Sequence, residues 1–356
     1  PPPPPPPPQH SSAASDVYKR QTITSMILHV LKYHNVEVDF MVGAQLEGFD
    51  RMVHLTAENE IIVLEGDEYL SSPIDLRPKF HLYRSNIALI SGIAWDHINV
   101  FPTYENYVGQ FSTFLDTMVK GGTIIYNEED PEVKRVVEQS TNQVKKYPYG
   151  TPDFRIEDGM TLLETPEGEI PLEVFGKHNL QNLEGARAIC FHLGIGEEEF
   201  YEAIADFKGA SKRLEKIGEN ESTVIYKDFA HSPSKVEATT QAVKEQYPDR
   251  TLLACLELHT YSSLNQNFLK EYKGTLDPAD EALVFYSPHA VEIKRLEEIG
   301  REEIERAFER KDLLIYTEPA SFKSFLFSQD LNDKVVLLMS SGNYGGLDFD
   351  EFKSLL

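Results

Sequence analysis

Apolar residues recur at helical spacing from Thr22 onward: Ile23, Met26, Ile27, Val30 and Leu31 line one face of a predicted helix. The text before it is different in kind. Pro1 to Pro8 form an unbroken proline run, and "QHSSAASDVYKRQ" follows with no apolar period, so residues 1–21 predict a segment without a core of its own. Beyond the helix, "VDFMVG", "EIIVLEGD", "IALISGIA" and "GTIIYNEE" predict strands, and "TYENYVGQFSTFLDTMVKGG" predicts a helix between the last two. Such alternation implies a mostly parallel sheet covered on both faces.

The pattern then changes twice. Residues 151–175 predict a hairpin turning at "PEG", and "NLQNLEGARAICFHLGI" predicts a long helix closed by Gly194. A second series opens near Lys208, with strands at "STVIYKDFA", "TLLACLEL", "EALVFYSP", "DLLIYTE" and "KVVLLMSSGN" between charged helices. That is a Rossmann-like sheet. The expected organisation is α/β throughout, with a first domain over 22–207 and a second over 208–356. Residues 1–21 are set aside as non-native or disordered, because "SSAASDVYKRQ" resembles translated adapter text at the ends of sequence reads.

Composition narrows the classes of function. The chain has 356 residues, 41% of them hydrophobic, enough for two cores. No apolar run reaches membrane-spanning length, and no basic segment leads into an apolar one at the N-terminus. A formal net charge of −24 argues against nucleic acid or an anionic membrane as partner. Cys190 and Cys255 sit in apolar contexts at no metal spacing, which reads as buried reduced thiols in a cytoplasmic protein. The first residue is not Met, which reads as a fragment.

Candidate chemistry gathers at strand ends, where open parallel sheets collect ligands. "IIVLEGDEY" closes in Glu65, Asp67 and Glu68, and "IALISGIAWDHINVF" closes in Asp96 and His97. Hard oxygen donors at two neighbouring strand ends suit Mg²⁺, against a solvated acidic loop and a packed histidine. "FGKHNLQN" sets His178, Asn179 and Asn182 at a helix start, where a carboxamide offers an adenine edge both a donor and an acceptor, although Asn also caps helices. In the second domain Lys212 and Arg213 form a basic pair, with Arg213 a candidate clamp on ribose or phosphate and Asp228 an acceptor for ribose hydroxyls. His231 precedes a helix start carrying Pro233 in its first turn, an entrance that favours phosphate oxygens. "LELHTYSSLNQ" and "SSGNYGGL" are polar or glycine-rich loops at strand ends.

Taken in order, "LEGDEY", "WDHINVF", "GKHNLQN", "KRLE" and "KDFAHSP" resemble the Mur ligase family, and the resemblance covers Thr22–Leu356. It implies three domains: an N-terminal UDP-binding domain, absent here, a P-loop-type central ATPase and a Rossmann-like C-terminal domain. The family's glycine-rich loop ends in Gly-Lys-Thr-Thr just before a helix like "ITSMILHVL". By that comparison Thr22 is the second Thr, and Arg20 and Gln21 stand where the lysine and the Mg²⁺-binding Thr belong. The P-loop is then missing from this chain.

The resemblance also implies ATP and Mg²⁺ as cofactors. It puts Glu65 and His97 on Mg²⁺, and Thr22, Asn179, Asn182, Arg213 and Asp228 on the nucleotide. His231 and Lys212 take catalytic roles, and His259, Tyr261, Ser262 and Asn343 face the incoming peptide. Ser232 stands where relatives often have a second His, Ser91 where many have Asn, and no counterpart of a modified lysine is seen. The implied activity is amide ligation of UDP-N-acetylmuramate to the tripeptide L-alanyl-γ-D-glutamyl-meso-diaminopimelate through an acyl phosphate, with the C-terminal domain closing over the ATP site. Addition of L-alanine or a folylpolyglutamate-type ligation is the alternative. A non-catalytic nucleotide-binding protein is the alternative of another class. With no P-loop, this polypeptide is expected to have little or no ligase activity.

Overall fold

The computed structural model describes residues 9–14, 17–43, 46, 49–95, 98, 100–209 and 214–356, without the side chains of 9–19. The chain divides into two compact units, Pro1–Ser211 and Lys212–Leu356.

Unit 1 opens on strand β1 (Gln9–Ala14) and helix α1 (Val17–Tyr33). Then come β2 (Asp39–Met41), β3 (Val53–His54), β4 (Ile61–Gly66), β5 (Ile87–Ile90), α2 (Tyr104–Thr117), β6 (Thr123–Asn127), α3 (Pro131–Gln139) and β7 (Lys145–Tyr149). These strands make a seven-stranded sheet in the order β3-β2-β4-β1-β5-β6-β7. Every pairing is parallel except β2 with β3.

The start of the chain departs from the sequence expectation. Residues 1–21 read as lying outside the fold, yet Gln9–Ala14 pairs with both β4 and β5 at the sheet's centre. The expected helix entrance at Thr22 likewise falls inside α1, which begins at Val17. Small and polar residues carry no period-two signal, so "QHSSAA" gives a pattern reader nothing to find.

Alternation along the inner strands covers both faces of the sheet. Leu89 and Ile125 pack with Ile23, Ile27 and Val30 of α1, and Ala88, Ile90 and Ile124 pack with Tyr107, Phe111 and Phe114 of α2. The expected hairpin forms from β9 (Met160–Thr165) and β10 (Gly168–Leu172), with β8 (Phe154–Glu157) added on the far side of β9. Helix α4 (Lys177–His192) follows, ending just before Gly194, and then α5 (Glu197–Ile204). Gly185 lets α4 settle onto the sheet: a Cβ there would lie 2.8 Å from Leu89 Cδ1 and 3.0 Å from Tyr149 Oη.

Unit 2 contains β11 (Glu215–Glu219), β12 (Val224–Asp228), α6 (Pro233–Gln246), β13 (Thr251–Leu258), α7 (Gln266–Leu269) and β14 (Glu281–Tyr286). It continues with α8 (Pro288–Ile293), α9 (Arg301–Phe308), β15 (Leu314–Tyr316), α10 (Pro319–Phe327), β16 (Lys334–Met339) and α11 (Phe349–Lys353). The sheet order is β11-β12-β16-β13-β14-β15, parallel apart from β11. Because β16 inserts between β12 and β13, the carboxyl ends of three neighbouring strands converge where the order switches, the usual place for a ligand crevice. Cys190 and Cys255 are buried and unbridged, and burial pushes both thiols up. Among the described residues no helix is long and apolar enough to cross a membrane.

Candidate functional site

In unit 1 the acidic end of β4 is closed by cations of the chain itself. Arg20, 1% exposed on α1, donates to Glu68 Oε2 and to the Gly66 carbonyl and lies 3.3 Å from Asp67 Oδ1. Lys79 Nζ sits 2.5 Å from the other oxygen of Asp67. Burial alone would raise the Asp67 carboxyl, but the Arg20 charge and the Lys79 ammonium outweigh it and hold the group below the usual range. Glu65, 7% exposed, accepts the Gly43 N–H at 2.9 Å. No group of three or more metal-ligating side chains forms among the described residues, and His97 lies outside them. Asp67 and Glu68 therefore do not offer Mg²⁺ an open set of oxygens.

The start of α4 differs, because its polar groups are only partly used. Asn179 donates from Nδ2 to the Phe175 carbonyl at 2.9 Å. Asn182 is fully buried, and neither its Oδ1 nor its Nδ2 has a partner. A buried carboxamide with both functions unmet is costly unless something bonds it, and a donor–acceptor edge such as a nucleobase fits it. Glu129, just past β6, organises this helix start. It holds Lys177 Nζ at 2.8 Å, Gln181 Nε2 at 3.1 Å and the Thr151 N–H at 2.6 Å. Burial would raise its carboxyl, but Lys177 and Thr151 push it down to about 2. Thr22 is buried in the second turn of α1, so its N–H belongs to the helix ladder rather than to an open entrance.

In unit 2 the converging strand ends form one polar centre. Asp228, 1% exposed at the end of β12, accepts the Leu214 N–H at 2.6 Å and the Ala230 N–H at 2.5 Å. Each oxygen thus holds one backbone N–H, and a carboxylate keeps further acceptor capacity beside these, as the expected role toward ribose hydroxyls requires. One of those contacts fixes the residue directly after Arg213. Arg213 and Lys212 themselves lie outside the described residues. His231 Nδ1 lies 2.7 Å from the Phe229 carbonyl, an acceptor that calls for a proton on Nδ1. Tyr272 donates its hydroxyl to the His231 carbonyl and fixes that backbone.

Glu257 on β13 went unnoticed in the sequence and holds the next two loops together. It is 3% exposed, and its Oε2 accepts from Ser340 Oγ and, at 2.8 Å, from the Tyr344 N–H. His259 Nδ1 stands 3.7 Å from Glu257 Oε1, with its ring against Gly342, where a Cβ would come within 3.1 Å of it. Tyr344 anchors the "SSGNYGG" loop by stacking on Phe322, with its hydroxyl 2.7 Å from the Cys255 carbonyl. Asn343, exposed at the loop tip, accepts the Gly346 N–H at 3.2 Å. In the "HTYSS" loop Tyr261 is exposed and Ser262 is buried. His259, the Ser340 loop and Asp228 thus share one sheet edge. The signals for Glu257 and Arg20 were single charged residues beside apolar runs.

The chain matches the Mur ligase middle domain over residues 21–190 and the Mur ligase glutamate ligase domain over residues 212–342. It is 27% identical over 275 residues to the UDP-N-acetylmuramate–L-alanine ligase of Desulfitobacterium hafniense (strain Y51), covering 74% of this chain and 59% of that protein. Among solved structures, the murein peptide ligase of Psychrobacter arcticus superposes with a TM-score of 0.64 at 19% identity, over 98% of this chain and 77% of that one. The MurF ligase of Thermotoga maritima in complex with ADP superposes at 0.70 with 15% identity, over 94% and 77%. The chain spans about three fifths of the length of the curated relatives it matches. The two domain matches together cover most of the chain, which belongs to the Mur ligase family, a family of ATP-dependent ligases of peptidoglycan synthesis.

Proposed function

We propose that this chain supplies the nucleotide-handling and amine-handling parts of a ligase that joins UDP-N-acetylmuramate to the murein tripeptide L-alanyl-γ-D-glutamyl-meso-diaminopimelate. The observation that carries the reading is the convergence of Asp228, Glu257 with His259, and the Ser340 loop at one sheet edge of a glutamate ligase domain. In the reaction the muramyl carboxylate takes the γ-phosphoryl group of ATP, releasing ADP. The donor amine then attacks the acyl carbon, loses a proton, and expels inorganic phosphate as the amide forms. Asn182 presents its carboxamide to the adenine, with Asn179 beside it. Asp228 accepts the Leu214 N–H, Arg213 is the candidate clamp on the nucleotide and Lys212 a candidate catalytic residue. His231 is the candidate acceptor for the proton of the attacking amine. His259, Tyr261, Ser262 and Asn343 line the approach of the donor.

A second reading, with L-alanine as donor, is favoured by the sequence relatives, which are UDP-N-acetylmuramate–L-alanine ligases. Turnover by this chain is slow in either reading. Residues 9–33 contain no glycine, so the glycine-rich sequence that normally cradles β- and γ-phosphates is missing from this stretch. Incubation with ATP, UDP-N-acetylmuramate and isotope-labelled donor, read by mass spectrometry, detects even slow ligation. Labelled tripeptide in the amide is the expected result. Labelled L-alanine alone transfers the assignment to the second reading, and ATP turnover at rates typical of enzymes overturns the expectation that a chain without the glycine-rich loop is nearly inactive.

A further inference from the structure

The closed end of β4 has a consequence for metal binding that does not depend on the ligase reading. Three carboxylates, Glu65, Asp67 and Glu68, stand at or just past the end of one strand. Glu68 is 2% exposed and takes the Arg20 guanidinium, itself 1% exposed. Asp67 lies between Arg20 and Lys79. Arg20 also donates to the Gly66 carbonyl, so the same guanidinium covers the strand's last backbone acceptor. Glu65 is turned to the Gly43 N–H instead. We propose that Arg20 is the resident cation of this strand end, so that unit 1 holds no divalent ion on Asp67 and Glu68.

The physical case is one of competition. Mg²⁺ demands near-octahedral oxygen ligation and gives up its waters reluctantly. To reach Glu68 it must expel a guanidinium that is buried and cannot lose its proton. The displaced charge would have no solvent to enter without opening the packing of α1 on β4, and an uncompensated buried charge is strongly unfavourable. One terminal nitrogen of the guanidinium, Nη1, serves the Glu68 carboxylate and the Gly66 carbonyl together. Removing Arg20 would leave two carboxylates side by side, the arrangement that attracts a hard cation.

Mn²⁺ serves as the probe, because its electron paramagnetic resonance signal disappears from solution on binding. Titrations are run at physiological ionic strength, to screen diffuse binding by a chain of net charge −24. The unsubstituted chain is expected to retain no stoichiometric Mn²⁺ and to show no change in melting temperature with Mg²⁺. Arg20→Ala is expected to gain one Mn²⁺ site with affinity raised by about a hundredfold, lost again in Arg20→Ala/Glu68→Gln. A stoichiometric site in the unsubstituted chain that Glu68→Gln abolishes overturns the proposal. So does a folded Arg20→Ala chain that gains no site. Should Arg20→Ala fail to fold, the unsubstituted titration with Glu68→Gln as control decides alone.

Discussion

Glu257 accepts the backbone N–H of Tyr344 at 2.8 Å, and this contact ties the carboxyl end of β13 to the loop after β16. Because Ser340 Oγ shares the same carboxylate oxygen, one buried charge holds both ends of the "SSGNYG" turn. Replacement by alanine strands the Tyr344 donor in the interior at a cost of about 1–3 kcal/mol. Glu257→Ala should therefore increase hydrogen exchange across residues 340–347, and Glu257→Gln, which keeps an acceptor, should do so less. Unchanged protection of the Tyr344 amide in the alanine variant would show that the loop is held by the Phe322 stack alone.

Asn182 separates stability from binding. Its carboxamide is fully buried with neither end bonded, so Leu, similar in volume, removes a desolvated polar group from the core. Asn182→Leu should leave the melting temperature unchanged or raise it, since an unmet amide costs roughly 1–3 kcal/mol in proteins. The same substitution should weaken ADP binding about tenfold, the equivalent of one or two lost hydrogen bonds. Calorimetric titration with ADP beside thermal melting reads both. A destabilised variant with unaltered ADP affinity would move Asn182 from the nucleotide to the fold.

The strands that a pattern could reveal were those with apolar β-branched runs, and these include the inner strands β5, β6, β13, β14 and β16. Central β1 escaped because its sequence is small and polar, and its place between β4 and β5 is a matter of pairing rather than propensity. Edge strands β7 and β11 escaped for another reason: "KKYPY" and "EKIGE" are largely exposed and look like loops. The candidate site was legible as strand-end polar residues, but how each one is used was not. Asp228 and Glu65 read as ligand groups, and in the fold both accept backbone N–H groups. Glu257 and the pairing of Arg20 with Glu68 were missed because a charged residue's partner lies far along the chain, across 87 residues for Tyr344 and 48 for Glu68.

Glu129 links the start of α4 to pH. Its carboxyl is pushed from the usual 4.5 down to about 2 by Lys177 and Thr151, against the opposing effect of burial. A carboxyl depressed by folding contributes stability above its ordinary value, lost as pH falls through the folded one. Acidification from about pH 4.5 to about pH 2 should thus release the α4 N-terminus, and Glu129→Gln should flatten stability over that window. Exposure limits the size of the effect, because about a third of the side chain meets solvent. Acid titration of unit 1 by circular dichroism, with and without the substitution, tests it. Identical acid profiles would place the sensitivity elsewhere.

Gly185 sets two rules against each other. In a helix interior, alanine is better than glycine by about 1 kcal/mol, so propensity favours Gly185→Ala. The new Cβ would stand 2.8 Å from Leu89 Cδ1 and 3.0 Å from Tyr149 Oη, and both side chains are buried in the sheet. Leu89 is fully buried in the cluster that also holds residues of α1 and α4, so its end must shift within packed neighbours. Overpacking of this kind costs about 1–3 kcal/mol and outweighs the propensity gain. Gly185→Ala is expected to lower the melting temperature of unit 1 and, by lifting α4 with Asn179 and Asn182, to weaken ADP binding as well. A stabilised variant with unchanged ADP affinity would mean that α4 has room to shift and that its height on the sheet does not set the site.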